Sequence, residues 1–249
     1  MTPPLLVPSL ARPPLDREVS LFLDFDGTLV DLVDRPDNVV ADTKLCGLLE
    51  AVRARLAGRL AIVSGRSLVQ LDAILGPLAA QLTLAASHGT EYRREGRTEA
   101  PPRPASLDGI AGPLRLFADR HEGVLLEEKS FGVALHYRMA PSMAADAQAL
   151  AAKLARDHGL FVQQGHDMVE LRPPGHDKGQ AIRHLLKASP FAGTPPVFLG
   201  DDITDESGFE MASAMGGYGV LVGGMRTSAA RFRLAGPARV RHWLKELSL

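Results

Sequence analysis

Short apolar runs, each ending in polar residues, recur in the first part of the chain. They lie at 19–24, 59–63 and 82–86, and they end in acidic residues with glycine, in Ser-Gly-Arg and in Ser-His-Gly, respectively. Helix-forming stretches at 41–56 and 67–75 separate them. Strands that alternate with helices predict a parallel α/β sheet, and the polar residues that follow parallel strands gather at one edge of such a sheet.

From residue 92 onward the apolar segments come in adjacent pairs, after a proline-rich linker at 100–104. Paired strands separated by helices predict a small antiparallel sheet with helices on one face. We expect its helices at 107–121 and 142–158 and its strands at 124–128, 131–138, 160–164 and 168–171. A helix at 177–187 and a strand at 197–199 then resume the parallel pattern.

This order of elements predicts an α/β protein in which a Rossmann-like core, built on a parallel sheet, is interrupted by an inserted α+β domain. The predicted boundaries place the first part of the core at 1–91, the inserted domain at 92–172 and the second part of the core at 173–249. Ligands of open parallel sheets bind at the carboxyl ends of the strands, so we expect the functional residues there.

Composition excludes several classes of partner. The chain has 249 residues, of which 45% are hydrophobic and 23% charged, and its formal net charge is −1. It therefore has no excess of basic charge for nucleic acid or an anionic membrane. The single cysteine, Cys46, excludes an intramolecular disulfide and a cysteine-rich metal site. Residues 1–15 lack the form of a signal peptide, and no apolar run approaches a membrane span, so we expect a cytoplasmic protein.

The first apolar run leads directly into the segment DFDGT at 24–28. A bare Asp-x-Asp is more often a solvated turn, but here a buried strand is predicted before it, and Gly27 lets the chain leave the sheet. Asp24 is then placed for nucleophilic attack on phosphorus. Asp26 can protonate the leaving oxygen and later deprotonate water.

A second acidic segment, GDDITDE at 200–206, follows the strand predicted at 197–199 and contains four acids. Like charges this close repel one another unless a cation neutralises them. Mg²⁺ favours carboxylate oxygens and retains bound waters, so the segment predicts a magnesium site. The alternative is an acidic helix N-terminus stabilised by the helix dipole.

Groups able to bind a phosphate follow other strands. Ser64 and Gly65 offer a hydroxyl and a backbone amide, and Lys178 offers a cation that offsets the charge between nucleophile and substrate. Each residue alone is weak evidence for a phosphate site, because a serine after a strand is commonly a helix cap and a lysine commonly lies on the surface. Their value is that both are expected at the same edge of the sheet.

The motifs DFDGT, SGR, HDKG and GDDITDE, in this order, resemble the haloacid dehalogenase superfamily of phosphohydrolases over essentially the whole core. Within it the chain is similar to the trehalose-6-phosphate phosphatases, on the basis of SHG at 87–89, EEK at 127–129, HYR at 136–138 and ELRP at 170–173. The resemblance implies a core of that superfamily with an α+β cap. It also implies hydrolysis of trehalose 6-phosphate to trehalose and phosphate through an aspartyl-phosphate with Mg²⁺, as the last step of trehalose biosynthesis.

The same resemblance implies roles for individual residues. Asp24 would be the nucleophile and Asp26 the acid and base. The ion would be held by Asp24, the carbonyl of Asp26 and Asp201, with Asp205 acting from outside its inner shell. The phosphate would be bound by Ser64, Gly65 and Lys178, and the rest of the substrate by Arg66, His88, Glu127, Lys129, Arg138 and Glu170. A functional link to a trehalose-6-phosphate synthase would follow.

Several alternatives stay open from the sequence. His166 follows Gln164 and Gly165 where the family commonly has lysine, so one sugar contact differs. A related capped phosphatase could act on sucrose 6-phosphate or a glycosyl-glycerate phosphate, and a phosphate-transferring mutase would use the same intermediate. A dehalogenase is disfavoured because it needs no leaving-group acid, and a catalytically silent sugar-binding module is disfavoured because Asp24 and Asp26 are both present.

Overall fold

The computed structural model describes residues 8–9, 11–33, 38–165 and 167–249, in two units. The core unit comprises Met1–Glu99 with Asp177–Leu249, and the inserted unit comprises Ala100–His176. The inserted unit thus begins eight residues later and ends four residues later than the predicted domain at 92–172. The reason at the first boundary is that residues 91–99 form a hairpin on the core sheet.

The predicted strands and helices occur in the predicted order, and the structure adds a hairpin within 91–99 and further strands and helices after residue 205. The strands are β1 (Ser20–Leu23), β2 (Leu60–Val63), β3 (Thr83–Ala86), β4 (Glu91–Arg94), β5 (Arg97–Glu99), β6 (Leu125–Lys129), β7 (Gly132–His136), β8 (Phe161–Gly165), β9 (Met168–Arg172), β10 (Pro196–Gly200), β11 (Tyr218–Val222) and β12 (Phe232–Leu234). The helices are α1 (Thr43–Arg55), α2 (Leu68–Leu75), α3 (Asp108–Arg120), α4 (Ala144–His158), α5 (Lys178–Leu185), α6 (Glu206–Ala214) and α7 (Pro237–Leu247).

The core unit is built on an eight-stranded sheet of order β12-β11-β10-β1-β2-β3-β4-β5. Along this order, neighbouring strands are parallel from β12 through β3. Strand β4 is antiparallel to β3 and to β5. Side chains of β1 alternate between the two faces, as the period of a strand requires. Leu21 and Leu23 pack with α1 and α7 on one face, and Phe22 packs with α5 and α6 on the other. Helices on both faces confirm the predicted Rossmann-like core.

The sheet order brings the polar strand ends together. Strand β1 lies between β10 and β2, and β2 lies beside β3, all parallel. The residues that follow these strands, Asp24, Ser64, Ser87 and Asp201, therefore come to the same edge of the sheet. This is the edge at which the apolar pattern predicted a functional site.

The inserted unit has an antiparallel sheet of order β6-β7-β9-β8. Val133, Leu135 and Leu171 pack with α3 and α4 in one apolar cluster, so both helices cover the same face. Strand alternation puts Glu127, Lys129 and Glu170 on the opposite face of this sheet. The predicted antiparallel sheet with helices on one face is thus present.

The helices of the described residues are short. The longest, α4, has 15 residues. A bilayer requires about 20 apolar residues in helical form. Within the part of the chain that the structure describes, none of the helices meets the length and apolarity that a membrane span needs.

Candidate active site

Asp24 is fixed where the chain leaves β1. Its backbone N–H donates to the carbonyl of Leu199 on β10 at 2.9 Å, and its side chain is buried. Three residues later Gly27 adopts a φ of +73°, which favours glycine. A Cβ on Gly27 would also lie 2.1 Å from an Oδ of Asp201. Glycine is therefore needed both for the turn and for the close approach of the second acidic segment.

Three carboxylates and one ammonium group form the centre of the site. Oxygens of Asp24, Asp201 and Asp205 lie within 4.8 Å of one another. The Nζ of Lys178 donates to an Oδ of Asp24 at 2.7 Å and to an Oδ of Asp205 at 2.5 Å, and it is buried at the start of α5. Asp177 caps this helix by accepting from Gln180, which fixes the position of the lysine. We call Asp24, Asp201, Asp205 and Lys178 the acidic centre.

Burial shapes the protonation of the acidic centre. It raises the pKa of Asp24 well above its usual value, and Lys178 only partly offsets this. Burial and the nearby Asp205 raise the pKa of Asp201 to about 7. Burial alone would lower the pKa of Lys178, but Asp205 and Asp24 raise it above its usual value. One positive charge thus faces three carboxylates, an arrangement that a divalent cation with oxygen ligands fits.

The sequence led us to expect that all four acids of the segment at 200–206 would converge. Of these, only Asp201 and Asp205 lie in the acidic centre. Both oxygens of Asp205 already accept hydrogen bonds, one from Lys178 and the other from the backbone N–H groups of Asp201 and Asp202 at 2.9 Å each. Asp202 instead caps the short helical turn by accepting from Ile203. A role for Asp205 in orienting the centre follows from these contacts.

Glu206 lies outside the acidic centre. Its carboxylate accepts from the hydroxyl of Ser228 at 2.9 Å and from the backbone N–H of Ala229 at 2.8 Å, and it pairs with Arg226. Arg226 also donates to the carbonyl of Asp202. Glu206 therefore anchors the acidic segment to a later loop, a role that the sequence did not indicate because its partners lie about twenty residues away.

Asp26 points to a different partner from Asp24. Both of its oxygens accept from Arg66, from Nε at 2.7 Å and from Nη2 at 2.8 Å. The sequence predicted Arg66 only as a substrate contact and missed this pair. A signal was present, because Asp26 and Arg66 each lie three residues after the end of adjacent parallel strands.

The segments that follow β2 and β3 are hydrogen-bonded to each other. Ser64 is buried, its carbonyl accepts from the backbone N–H of His88 at 3.0 Å, and its hydroxyl accepts from the backbone N–H of Arg66. A Cβ on Gly65 would lie 2.7 Å from the ring of His88, so glycine leaves room for that ring. His88 adopts a φ of +56°, an uncommon conformation for a non-glycine residue. Ser64 and Gly65 thus lie in one loop and His88 in a second, and the two loops pack against each other.

Charged residues from three strands also meet within the inserted unit. The Nζ of Lys129 lies 2.7 Å from Glu170 and 3.9 Å from Glu127, and Glu127 also contacts His136 at 2.7 Å. A Cβ on Gly132 would lie 2.2 Å from an Oε of Glu170, so glycine there makes room for this carboxylate.

Two other predicted contacts of the inserted unit stand apart from this group. Arg138 pairs with Asp167 at 3.4 Å. The sugar contact expected at His166 lies outside the described residues. The structure therefore groups three of the four substrate contacts that the sequence predicted in this unit, and it gives the fourth a different ion-pair partner.

The fold resembles that of the haloacid dehalogenase-like hydrolases. A haloacid dehalogenase-like hydrolase from Bacteroides thetaiotaomicron superposes with a TM-score of 0.64 at 16% identity, covering 91% of this chain and 98% of that chain. A likeness at this level of identity establishes the fold.

Closer relatives identify the family. Residues 22–238 match the trehalose-phosphatase family. The trehalose-6-phosphate phosphatase of Escherichia coli (strain K12) is 37% identical over 244 residues, which cover 97% of this chain and 91% of that protein. The crystal structure of a trehalose-6-phosphate phosphatase related protein superposes with a TM-score of 0.78 at 28% identity, covering 92% of this chain and 96% of that chain. The chain belongs to the trehalose-phosphatase family, whose members are phosphoric monoester hydrolases.

Proposed function

We propose that the protein hydrolyses trehalose 6-phosphate to trehalose and phosphate, the last step of trehalose biosynthesis, through an aspartyl-phosphate intermediate and with Mg²⁺. Membership of the trehalose-phosphatase family supports the substrate. The observation that carries the chemistry is the buried Asp24 at the end of β1, 2.7 Å from the buried ammonium of Lys178. A cation beside a carboxylate favours the approach of a phosphate dianion.

In the first step, an oxygen of Asp24 attacks phosphorus, and the bond from phosphorus to the sugar oxygen breaks. Asp26 gives a proton to that leaving oxygen, so trehalose departs as a neutral alcohol. In the second step, Asp26 takes a proton from the water that attacks the aspartyl-phosphate, which releases phosphate and restores Asp24. Lys178, the hydroxyl of Ser64 and the amide of Gly65 bind the phosphate oxygens.

The residues present fit a magnesium ion. Asp24 and Asp201 would hold it together with the carbonyl of Asp26, and Asp205 would orient the site through Lys178 and the backbone of Asp201. Bound Mg²⁺ supplies positive charge that offsets the repulsion between the carboxylates and the phosphate.

The inserted unit is proposed to bind the sugar through Glu127, Lys129, Arg138 and Glu170. Support comes from the near-complete burial of charged groups on a sheet face: Glu170 is 2% exposed, and the side chain of Lys129 is 7% exposed. Charged residues are seldom buried unless they are paired, and these two are paired with each other. Carboxylates so placed can accept hydrogen bonds from sugar hydroxyls.

The substrate is tested by phosphate release over a panel containing trehalose 6-phosphate, sucrose 6-phosphate, a glycosyl-glycerate phosphate and glucose 6-phosphate. We expect trehalose 6-phosphate to have the highest kcat/KM by a wide margin. Product analysis should give free trehalose and inorganic phosphate in equal amounts. A higher kcat/KM for another member would transfer the assignment to that sugar, and an isomeric sugar phosphate as product would indicate a mutase.

Loss of Glu170 should distinguish binding of the sugar from hydrolysis of the phosphate. Hydrogen bonds to a charged group contribute ~1.5 to 3 kcal/mol each, so Glu170→Ala should lower kcat/KM on trehalose 6-phosphate roughly tenfold to a few hundredfold. An aryl phosphate has no sugar hydroxyls, and its kcat/KM should change little. Steady-state kinetics on both substrates provide the measurement.

Glu128→Ala is the matched control for this variant. Glu128 lies between Glu127 and Lys129 on β6, but its side chain points to the helix-covered face, where it pairs with Arg115. Its loss should leave both activities nearly unchanged. Equal losses on both substrates in Glu170→Ala would assign Glu170 to folding of the unit, and no loss on either would remove it from the sugar site.

Two further expectations remain predictions, the first from the sequence pattern and the second from the family resemblance. They are a cytoplasmic location and a functional link to a trehalose-6-phosphate synthase that would supply the substrate. Fractionation of cells tests the location. Comparison of the trehalose 6-phosphate pool in cells with and without the protein tests the link to the synthase.

A further inference from the structure

Arg66 and Asp26 form a two-point ion pair at the edge of the core sheet. Nε donates to one carboxylate oxygen at 2.7 Å and Nη2 donates to the other at 2.8 Å. The arginine side chain is 9% exposed and the aspartate side chain 30% exposed. A planar guanidinium bound to both oxygens fixes the plane of the carboxylate as well as its position.

The backbone of Arg66 is itself held on both sides. Its N–H donates to the hydroxyl of Ser64 at 3.1 Å, and its carbonyl accepts from the N–H of Ser87 at 2.7 Å. The next residue, Ser67, caps α2 through a reciprocal pair with Gln70. The guanidinium therefore extends from a turn that hydrogen bonds hold in place, and its two contacts orient the carboxylate of Asp26.

Asp24 and Asp26 are close in sequence but have different charged partners. Asp24 contacts Lys178 in the acidic centre, whereas Asp26 is bound by Arg66. A group that exchanges protons with the leaving oxygen and with water must be held within hydrogen-bond reach of both. We propose that Arg66 is a positioning residue that fixes the carboxylate of Asp26 for these two proton transfers. The inference rests on the proposed function, in which Asp26 is the acid and base.

The dependence of rate on the leaving group tests the proposal. Protonation by Asp26 matters more for a poor leaving group than for a good one, so phenyl phosphate and para-nitrophenyl phosphate differ in their need for it while sharing size and lacking sugar hydroxyls. General acids contribute about 10²- to 10⁴-fold, so a misplaced acid in Arg66→Gln should lower kcat/KM, which reports the steps up to release of the leaving group, on phenyl phosphate by about tenfold to a hundredfold. The loss of kcat/KM on para-nitrophenyl phosphate should be only about threefold or less, because hydrolysis of the aspartyl-phosphate, which both substrates share, does not enter kcat/KM.

A conservative variant and a double variant complete the set. Arg66→Lys keeps a cation that can bind one oxygen, so it should recover part of the loss on phenyl phosphate. Asp26→Asn should show the same selective loss as Arg66→Gln, and combining the two should add little, because both changes affect one proton transfer. Circular dichroism and thermal melting establish that each variant is folded.

Arg93→Gln is the matched control. Arg93 also binds both oxygens of an aspartate, Asp72, within the core unit. Its replacement removes an equivalent ion pair, and the ratio of kcat/KM on the two aryl phosphates should stay unchanged. The same ratio in Arg93→Gln and Arg66→Gln would overturn the proposal.

Other outcomes separate this proposal from the proposed function. Equal losses of kcat/KM on both aryl phosphates in Arg66→Gln would make Arg66 a phosphate-binding or structural residue and overturn the positioning role alone. Independent losses in the double variant would do the same. If Asp26→Asn loses kcat/KM equally on both substrates, Asp26 is not the acid, and the proposed mechanism and the role of Arg66 both fail.

Discussion

Replacement of Asp24 by asparagine is expected to abolish turnover and to leave the fold intact. An amide is a far poorer nucleophile toward phosphorus than a carboxylate, so kcat should fall by on the order of 10⁴-fold or more. Asparagine keeps an oxygen that can accept from Lys178, now 2.7 Å from Asp24. Because burial raises the pKa of Asp24 well above its usual value, removing this charge should not lower the melting temperature of the metal-free protein.

Acid-quenched single turnovers with radiolabelled substrate measure the intermediate directly. The wild-type protein should retain labelled phosphate that hydroxylamine removes, and Asp24→Asn should retain none. Asp72→Asn is a suitable control, because Asp72 pairs with Arg93 outside the acidic centre. Wild-type rates in Asp24→Asn, or label retained at wild-type levels, would remove Asp24 from the reaction.

Removal of divalent cations is expected to reduce activity to background. The oxygens of Asp24, Asp201 and Asp205 lie within 4.8 Å of one another, and a phosphate dianion would add further negative charge. Lys178 offsets only part of this repulsion, which is strong in a buried site. Activity should therefore disappear after exhaustive chelation and return on titration with Mg²⁺. Full activity in the chelated protein would exclude the metal from the mechanism.

Two variants of the acidic segment make the magnesium prediction specific. Asp201→Asn removes a proposed ligand and should raise the Mg²⁺ concentration for half-maximal activity by about tenfold or more. Glu206→Gln is the matched control, since Glu206 contacts Ser228 and Ala229 instead of the acidic centre. Its Mg²⁺ requirement should stay close to that of the wild type. Equal shifts in both variants would mean that the ion responds to the charge of the whole segment.

The sequence by itself determined most of the strands, their order and the position of the functional edge, but it did not indicate β4, β5, β11 or β12. Apolar runs such as 60–63 are long enough only for buried strands, and their fully buried side chains agree with this. Ser67 at the start of α2 is likewise a local feature, because a capping box depends on residues three apart. Chemistry at the end of β1 could be predicted since Asp24, Asp26 and Gly27 are adjacent in the chain.

The tertiary structure decided which charged groups meet. Lys178 lies 154 residues from Asp24, and only the return of the chain after the inserted unit brings α5 beside β1. Of the four acids at 200–206, two enter the acidic centre, while Asp202 caps a turn and Glu206 binds a later loop. The density of acidic residues in the sequence does not predict this division, because the position of each carboxylate depends on the hydrogen-bond donors that the fold places near it. The pair of Asp26 with Arg66 has the same physical origin: strand order is set by packing across the sheet, and it determines which strand ends become neighbours.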